Sequence, residues 1–198
     1  MKRCTWPGTE QIYIEYHDKE WGRPVYDSRD LFAKLILDGF QAGLSWITIL
    51  KKRDNFYKAF DNFNPEKMAL YDKRKIDKLL CNKGIIRNKL KINAAVGNAE
   101  AFLAYEKTTG SFSDFLWSFV NGKPKINNWK THEQIPVNSR ESDAMSRELK
   151  KLGFKFTGTT ICYAFMQAVG MVNDHITTCF RYGQLINDTS DSKSRLNH

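Results

Sequence analysis

A chain of 198 residues, 41% of them hydrophobic, has enough apolar material for a real core in one domain or two small interlocked ones. No apolar run reaches membrane-spanning length, and the start, Met1-Lys2-Arg3 leading straight to Cys4 and Trp6, carries no signal peptide, so a soluble intracellular protein with no membrane partner is expected. The formal net charge of +9, with basic clusters at 51–53, 83–91 and 147–155, favours a polyanionic partner, nucleic acid first; solvated helix faces are the plain alternative.

Taken in chain order, the predicted elements are helices. Asp27, with Asp30 three residues on, caps a helix carrying Leu31, Phe32, Leu35 and Ile36, which Gly39 and Gly43 interrupt. A second helix is predicted from about Ser45 and carries Ile47, Leu50, Phe56 and Phe60. Further helices are predicted over 75–80, over 87–105 with Leu90, Ala94, Ala95, Ala99 and Phe102 as its apolar stripe, and over 112–120. A helix over 142–152 stops at Gly153, and another runs from Thr159 to Ala168 and ends by Gly170. No convincing alternating strand is visible, so the fold is predicted to be mostly or wholly α. The polar tail from Asn187 reads as disordered.

Three groups of residues carry possible chemistry. The loop Gly153-Phe154-Lys155-Phe156-Thr157-Gly158, between two helices and flanked by Lys150 and Lys151, lets backbone N–H groups approach an anion beside a helix N-terminus. A DNA phosphate fits that environment, and a plain αα-hairpin is the alternative. Trp6, Tyr13, Tyr16, Trp21 and Trp46 crowd a stretch with few periodic aliphatics; such faces stack on nucleobases and attract cations, or else cover one side of a bundle. Asp38, in register with Leu31 and Leu35, sets a carboxylate at the apolar face near a helix C-terminus, where the macrodipole opposes it. That placement points to a functional or specifically paired group.

The fourth group lies at the chain's two ends. Cys4 and His17 are near the start, His175 and Cys179 near the finish. If the segment after Asn173-Asp174 is helical, His175 and Cys179 project from one face. Two cysteines and two histidines suffice for a closed tetrahedral zinc site. The spacing matches no standard zinc finger, and two core cysteines with two unrelated histidines are the more common reading of such a pattern. In a reducing compartment these thiols are not expected to form disulfides.

Several segments resemble the bacterial 3-methyladenine DNA glycosylase I family: Tyr-His-Asp-Lys-Glu-Trp-Gly at 16–22, Gln-Ala-Gly-Leu-Ser-Trp-Ile-Thr-Ile-Leu-Lys-Lys-Arg at 41–53, Gly-Ile-Ile-Arg at 84–87, Phe-Leu-Trp-Ser-Phe-Val-Asn at 115–121, the run 153–168, and Val-Asn-Asp-His at 172–175. The resemblance implies an all-α helix-hairpin-helix glycosylase domain of two interlocked lobes over 1–186, followed by the polar tail 187–198. It implies a monomer acting on double-stranded DNA with alkylated bases in the bacterial cytoplasm. One structural zinc ion is implied on Cys4, His17, His175 and Cys179. Tyr16 and Trp46 are implied to sandwich the flipped base, with Trp6, Tyr13 and Trp21 nearby and Asp38 as the catalytic carboxylate. Gln41 and Leu44 are implied to enter the duplex, and Gly153, Lys155, Gly158 and Thr159 to hold its backbone. The family usually has glutamate where this chain has Asp38, a side chain shorter in reach by roughly 1.5 Å.

Overall fold

The computed structural model describes residues 1–194, with side-chain surroundings given through 187. The elements are α1 (Gln11–Lys19), α2 (Ser28–Gln41), α3 (Trp46–Leu50), α4 (Arg53–Ala59), α5 (Pro65–Met68), α6 (Lys73–Cys81), α7 (Lys89–Thr108), α8 (Phe112–Ser118), β1 (Lys125–Ile126), α9 (Arg140–Lys151), α10 (Thr159–Ala168), β2 (Val172–Asn173) and α11 (Phe180–Ser194). The mostly helical prediction holds. The exception is a two-stranded parallel pair with Lys125 opposite Val172 and Ile126 opposite Asn173. Two residues per strand leave no alternation for sequence periodicity to detect.

Helix α2 is the axis of the core. Asp27 caps it as predicted, its Oδ1 accepting from Arg29 N at 2.8 Å and Asp30 N at 2.9 Å. Leu31, Phe32, Leu35, Ile36, Leu37 and Phe40 are all buried, so this helix is covered on several sides, by α3, α7, α8 and α10. Gly39 does not interrupt it. A Cβ there would meet Phe156 Cβ at 3.4 Å, an ordinary contact, so the 153–158 loop packs directly on this turn of the helix.

The single helix predicted from Ser45 is two. The chain turns at Lys51-Lys52 between α3 and α4. In one straight helix Leu50 and Phe56, six residues apart, would point about 120° away from each other. The turn buries both. Lys52 Nζ then donates to Lys83 O at 3.1 Å, and Lys51 pairs with Glu10.

In α7 the predicted stripe is right except for its first member. Leu90 is 72% exposed, and Lys91 is buried in its place. Lys91 Nζ donates to Phe40 O at 2.9 Å and Ala42 O at 2.6 Å, covering the negative C-terminal end of α2. The predicted disordered tail meets α11, whose helix runs through Ser194; residues 195–198 lie outside the described residues.

Candidate active site and metal centre

The cysteines and histidines predicted as ligands meet in one buried cluster, their ligand atoms all within 4.8 Å of one another. They do so without the helix expected for the last two. His175 to Cys179 is a turn before α11, closed by Cys179 N donating to Ile176 O at 2.8 Å. The turn hangs from β2, and the buried carboxylate of Asp174 fixes its start. Asp174 accepts from Asn127 Nδ2 and Trp129 Nε1 at 2.7 Å each, Tyr163 Oη at 2.7 Å and Gln167 Nε2 at 2.8 Å. Four strong donors orient this carboxylate and leave the ligand turn little freedom. No local pattern announced Asp174, because its partners are remote in sequence.

Three of the four sulfur–nitrogen edges match those around a tetrahedral ion. His17 Nδ1 donates to Asp18 Oδ1 at 2.7 Å, which turns Nε2 toward Cys179 Sγ at 3.5 Å. His175 Nε2 donates to the Trp21 carbonyl at 3.1 Å, which turns Nδ1 toward Cys4 Sγ at 3.6 Å and Cys179 Sγ at 3.5 Å. An ion about 2.3 Å from sulfur and about 2.05 Å from nitrogen, at tetrahedral angles, gives S···N edges of about 3.5 Å. Both histidine tautomers are set by acceptors outside the cluster, the arrangement usual around metal-ligating imidazoles. Hydrogen bonds from Cys4, and then from His17 and His175, pull the Cys179 thiol well below the ordinary thiol range against the effect of burial.

The aromatic residues predicted to form a base pocket line a single cleft of about 330 Å³. Trp6, Tyr13, Tyr16 and Trp21 come from the N-terminal segment, Asp38 and Gln41 from α2, and Trp46 from the start of α3. The sequence reading missed the rest of the lining: Lys34 from α2, His132 and Ile135 after β1, and Ala164, Gln167 and Ala168 from α10. Trp21 ties the two centres together. Its ring lies 4.5 Å from that of His175 and 5.1 Å from that of Trp6. Trp6 Nε1, Asp38 Oδ2 and Trp46 Nε1 are buried with no hydrogen-bond partner among the described residues. Buried polar atoms are rarely left so, and three around one cleft mark a place for a polar ligand.

Asp38 is 1% exposed. Burial pushes its carboxyl above the usual range although Lys34, one turn earlier, donates to Oδ1. Burial likewise pushes Lys34 below its usual range. Tyr16 is raised far above an ordinary phenol, first by burial and then by the charge of Asp38. Tyr16 and Trp46 do not stand ready as a sandwich: their ring centroids are 5.4 Å apart with planes tilted by 44°. A base between them needs two van der Waals contacts, about 7 Å in all, so one ring must move or the base must stack on an open face.

Of the residues predicted to hold DNA, Gln41 lines the cleft and the others lie outside its lining. Leu44 is 42% exposed in the loop between α2 and α3, beside Gln41 on the cleft lining. Gly153, Lys155, Gly158 and Thr159 form the hairpin between α9 and α10. Several loop amides are already used: Gly153 N donates to Lys150 O, Phe154 N to Leu149 O and Lys155 N to Asn98 Oδ1. The Thr159 hydroxyl donates to Asp143 Oδ1 at 2.6 Å. At the first turn of α10 Gly158 is the cap and no side chain hydrogen-bonds the end of the helix.

Comparison with known proteins agrees with this geometry. The Methyladenine glycosylase family matches residues 6–182. A DNA-3-methyladenine glycosylase of Haemophilus influenzae is 51% identical over 177 residues, covering 89% of this chain and 96% of that protein. A crystal structure of 3-methyladenine DNA glycosylase I superimposes with TM-score 0.89 at 52% identity, covering 90% of this chain and 98% of the other. A variant of such an enzyme, solved in complex with 3-methyladenine, is 38% identical with TM-score 0.87, covering 91% and 97% of the two chains. This chain is a member of the methyladenine glycosylase family.

Proposed function

We propose that the protein removes 3-methyladenine from alkylated double-stranded DNA by hydrolysing the bond between base and deoxyribose. The observation that carries this is the cleft, where Trp6, Tyr13, Tyr16, Trp21 and Trp46 gather around a buried carboxylate in a chain of this family. A base inside the stack cannot be reached, so the nucleotide is extruded, and a damaged pair makes that cheaper. N3-methylated adenine in DNA is a cation. It is attracted to aromatic faces and is already an activated leaving group, so little acid catalysis is required. Trp46 and Tyr16 stack on it, and Asp38 accepts from its exocyclic amino group and favours the charged base.

The rest of the molecule holds the duplex. Lys150, Lys151 and Lys155 and the free N-terminal amides of α10 receive the backbone, while Gln41 and Leu44 fill the gap left by the base. Zinc is the ion this reading assigns to Cys4, His17, His175 and Cys179. Four protein ligands leave no position for a reacting water, so its role is structural, holding the N-terminal segment to the turn before α11. The same reading has the protein acting as a monomer in the bacterial cytoplasm.

Purified protein is expected to release 3-methyladenine from methylated duplex DNA. Trp46→Ala should lower the rate about 10- to 100-fold, the equivalent of about 1–3 kcal/mol of lost stacking. Asp38→Ala should also fall sharply. The rival reading is a non-catalytic reader of methylated or distorted DNA, which the same basic surface and aromatic cleft would serve. Tight binding without base release would favour it, and release of other lesions in preference would point to a range altered by Asp38.

A further inference from the structure

Lys34 is the one basic residue of α2 that lies inside the cleft lining, and nothing in the excision chemistry above calls for it. It sits one helical turn before Asp38, on the same face, and its ammonium donates to Asp38 Oδ1. The same Nζ lies 3.9 Å from the centroid of the Trp46 ring, well inside cation–π range. The lysine side chain is 18% exposed and Asp38 1%, so the pair lies largely out of solvent within the cleft.

A cationic base needs the same two partners: an aromatic face and a carboxylate. We propose that Lys34 is a specificity-determining residue of the base pocket, a tethered cation that occupies the site formed by Asp38 Oδ1 and the Trp46 ring, so that a flipped cationic base enters only by displacing it. The inference rests on the base-pocket reading above. With Lys34 in place the cleft's carboxylate is already neutralised, and a cationic base gains only the difference between its own contacts and those of the lysine. A neutral base loses less by that competition, because it draws less from the carboxylate. Lys34 thus narrows the preference for cationic over neutral bases. Asp38 Oδ2 has no partner, so once the lysine is displaced both carboxylate oxygens can face the base. The other charges acting on Lys34, Arg53 and Glu20, pair with each other at 2.5 Å, while Lys34 pairs with Asp38.

The test uses two probes and three proteins, wild type, Lys34→Gln and Lys34→Arg. The probes are 3,9-dimethyladeninium, a permanent cation shaped like the damaged base, and 9-methyladenine, its neutral counterpart. Binding is read from quenching of the cleft tryptophans, and base release is followed on methylated duplex DNA. Lys34→Gln is expected to tighten binding of the cation about tenfold and of the neutral probe by much less. Lys34→Arg, which keeps the charge, should stay near wild type in the ratio of the two affinities. Equal tightening for both probes would make Lys34 a steric plug and overturn the proposal. So would an unchanged or weaker cation affinity in Lys34→Gln while wild type still releases 3-methyladenine; in both cases the glycosylase reading would stand. If no protein binds either probe or releases base, the pocket assignment itself falls, and the proposal with it.

Discussion

Replacing Cys179 by serine removes one corner of the metal cluster and tests what the cluster does. Cys4 and His175 are 171 positions apart, so an ion bound to both cross-links almost the whole chain. In the chain-entropy picture, closing a loop of that length constrains the unfolded state by about 5 kcal/mol. Serine is a poor ligand for a thiolate-binding ion, and some ordering survives through Phe180 N donating to Lys2 O at 2.9 Å and through the Arg3–Asp18 pair. A loss of about 3–5 kcal/mol is therefore expected. For a chain of 198 residues, at about 2–4 °C per kcal/mol, that lowers Tm by about 10 °C. The assay is thermal unfolding with metal content measured on the same sample, and Cys81→Ser, at an exposed thiol, serves as control. Excision at a temperature where the variant is folded should be largely kept, because no ligand of the cluster reaches the reacting base. A metal-free Cys179→Ser with unchanged Tm would refute the clasp. A stably folded, metal-loaded variant without activity would instead assign the cluster a part in the chemistry.

Gly22 adjoins the same centre with a φ of +83°, and a Cβ there would stand 3.0 Å from Leu185 Cδ1 and 3.1 Å from His175 Nε2. Gly22→Ala should cost about 1–2 kcal/mol from the backbone alone and also lower metal content, measured by unfolding and metal analysis. Lys155→Glu should weaken DNA binding while leaving base-probe affinity unchanged, and the slope of log K against log salt should fall by about one in a salt titration. Lys125 hydrogen-bonds Glu141 and holds its carboxyl down to about 2, below the ordinary 4.5. A depressed carboxyl stabilises the fold above its unfolded value and loses that contribution as pH falls through its folded one. Wild type should therefore exceed Glu141→Gln in stability at pH 7, and the difference should vanish between about pH 4.5 and 2 in paired unfolding curves.

The elements legible in sequence are those governed by neighbours within a turn or two. The Asp27 cap, the buried face of α2 and the Gly-bounded hairpin before α10 follow from short-range rules of capping, periodicity and backbone freedom. Asp38 was legible too, since a carboxylate in phase with Leu31 and Leu35 stands out on a helical wheel. Lys34 carried the same i,i+4 signal toward Asp38, yet its meaning depends on Trp46, which belongs to another helix. The break at Lys51-Lys52 and the exchange of Leu90 for Lys91 in the core also needed the packed neighbours, because what decides them is the direction of the core and the carbonyl end of α2.

The four ligand types at the chain's ends were readable as a set from the sequence alone, together with the aromatic residues and the carboxylate of the cleft. Only the tertiary structure decided that the four residues converge through a turn rather than a helix, that Asp174 anchors that turn, and that Lys34 lies against both Asp38 and the Trp46 ring. The physical reason is range. Propensity and periodicity act over a few residues, whereas the tautomers of His17 and His175, the burial of Asp38 and the seat of Lys34 are set by groups brought together only when the core closes.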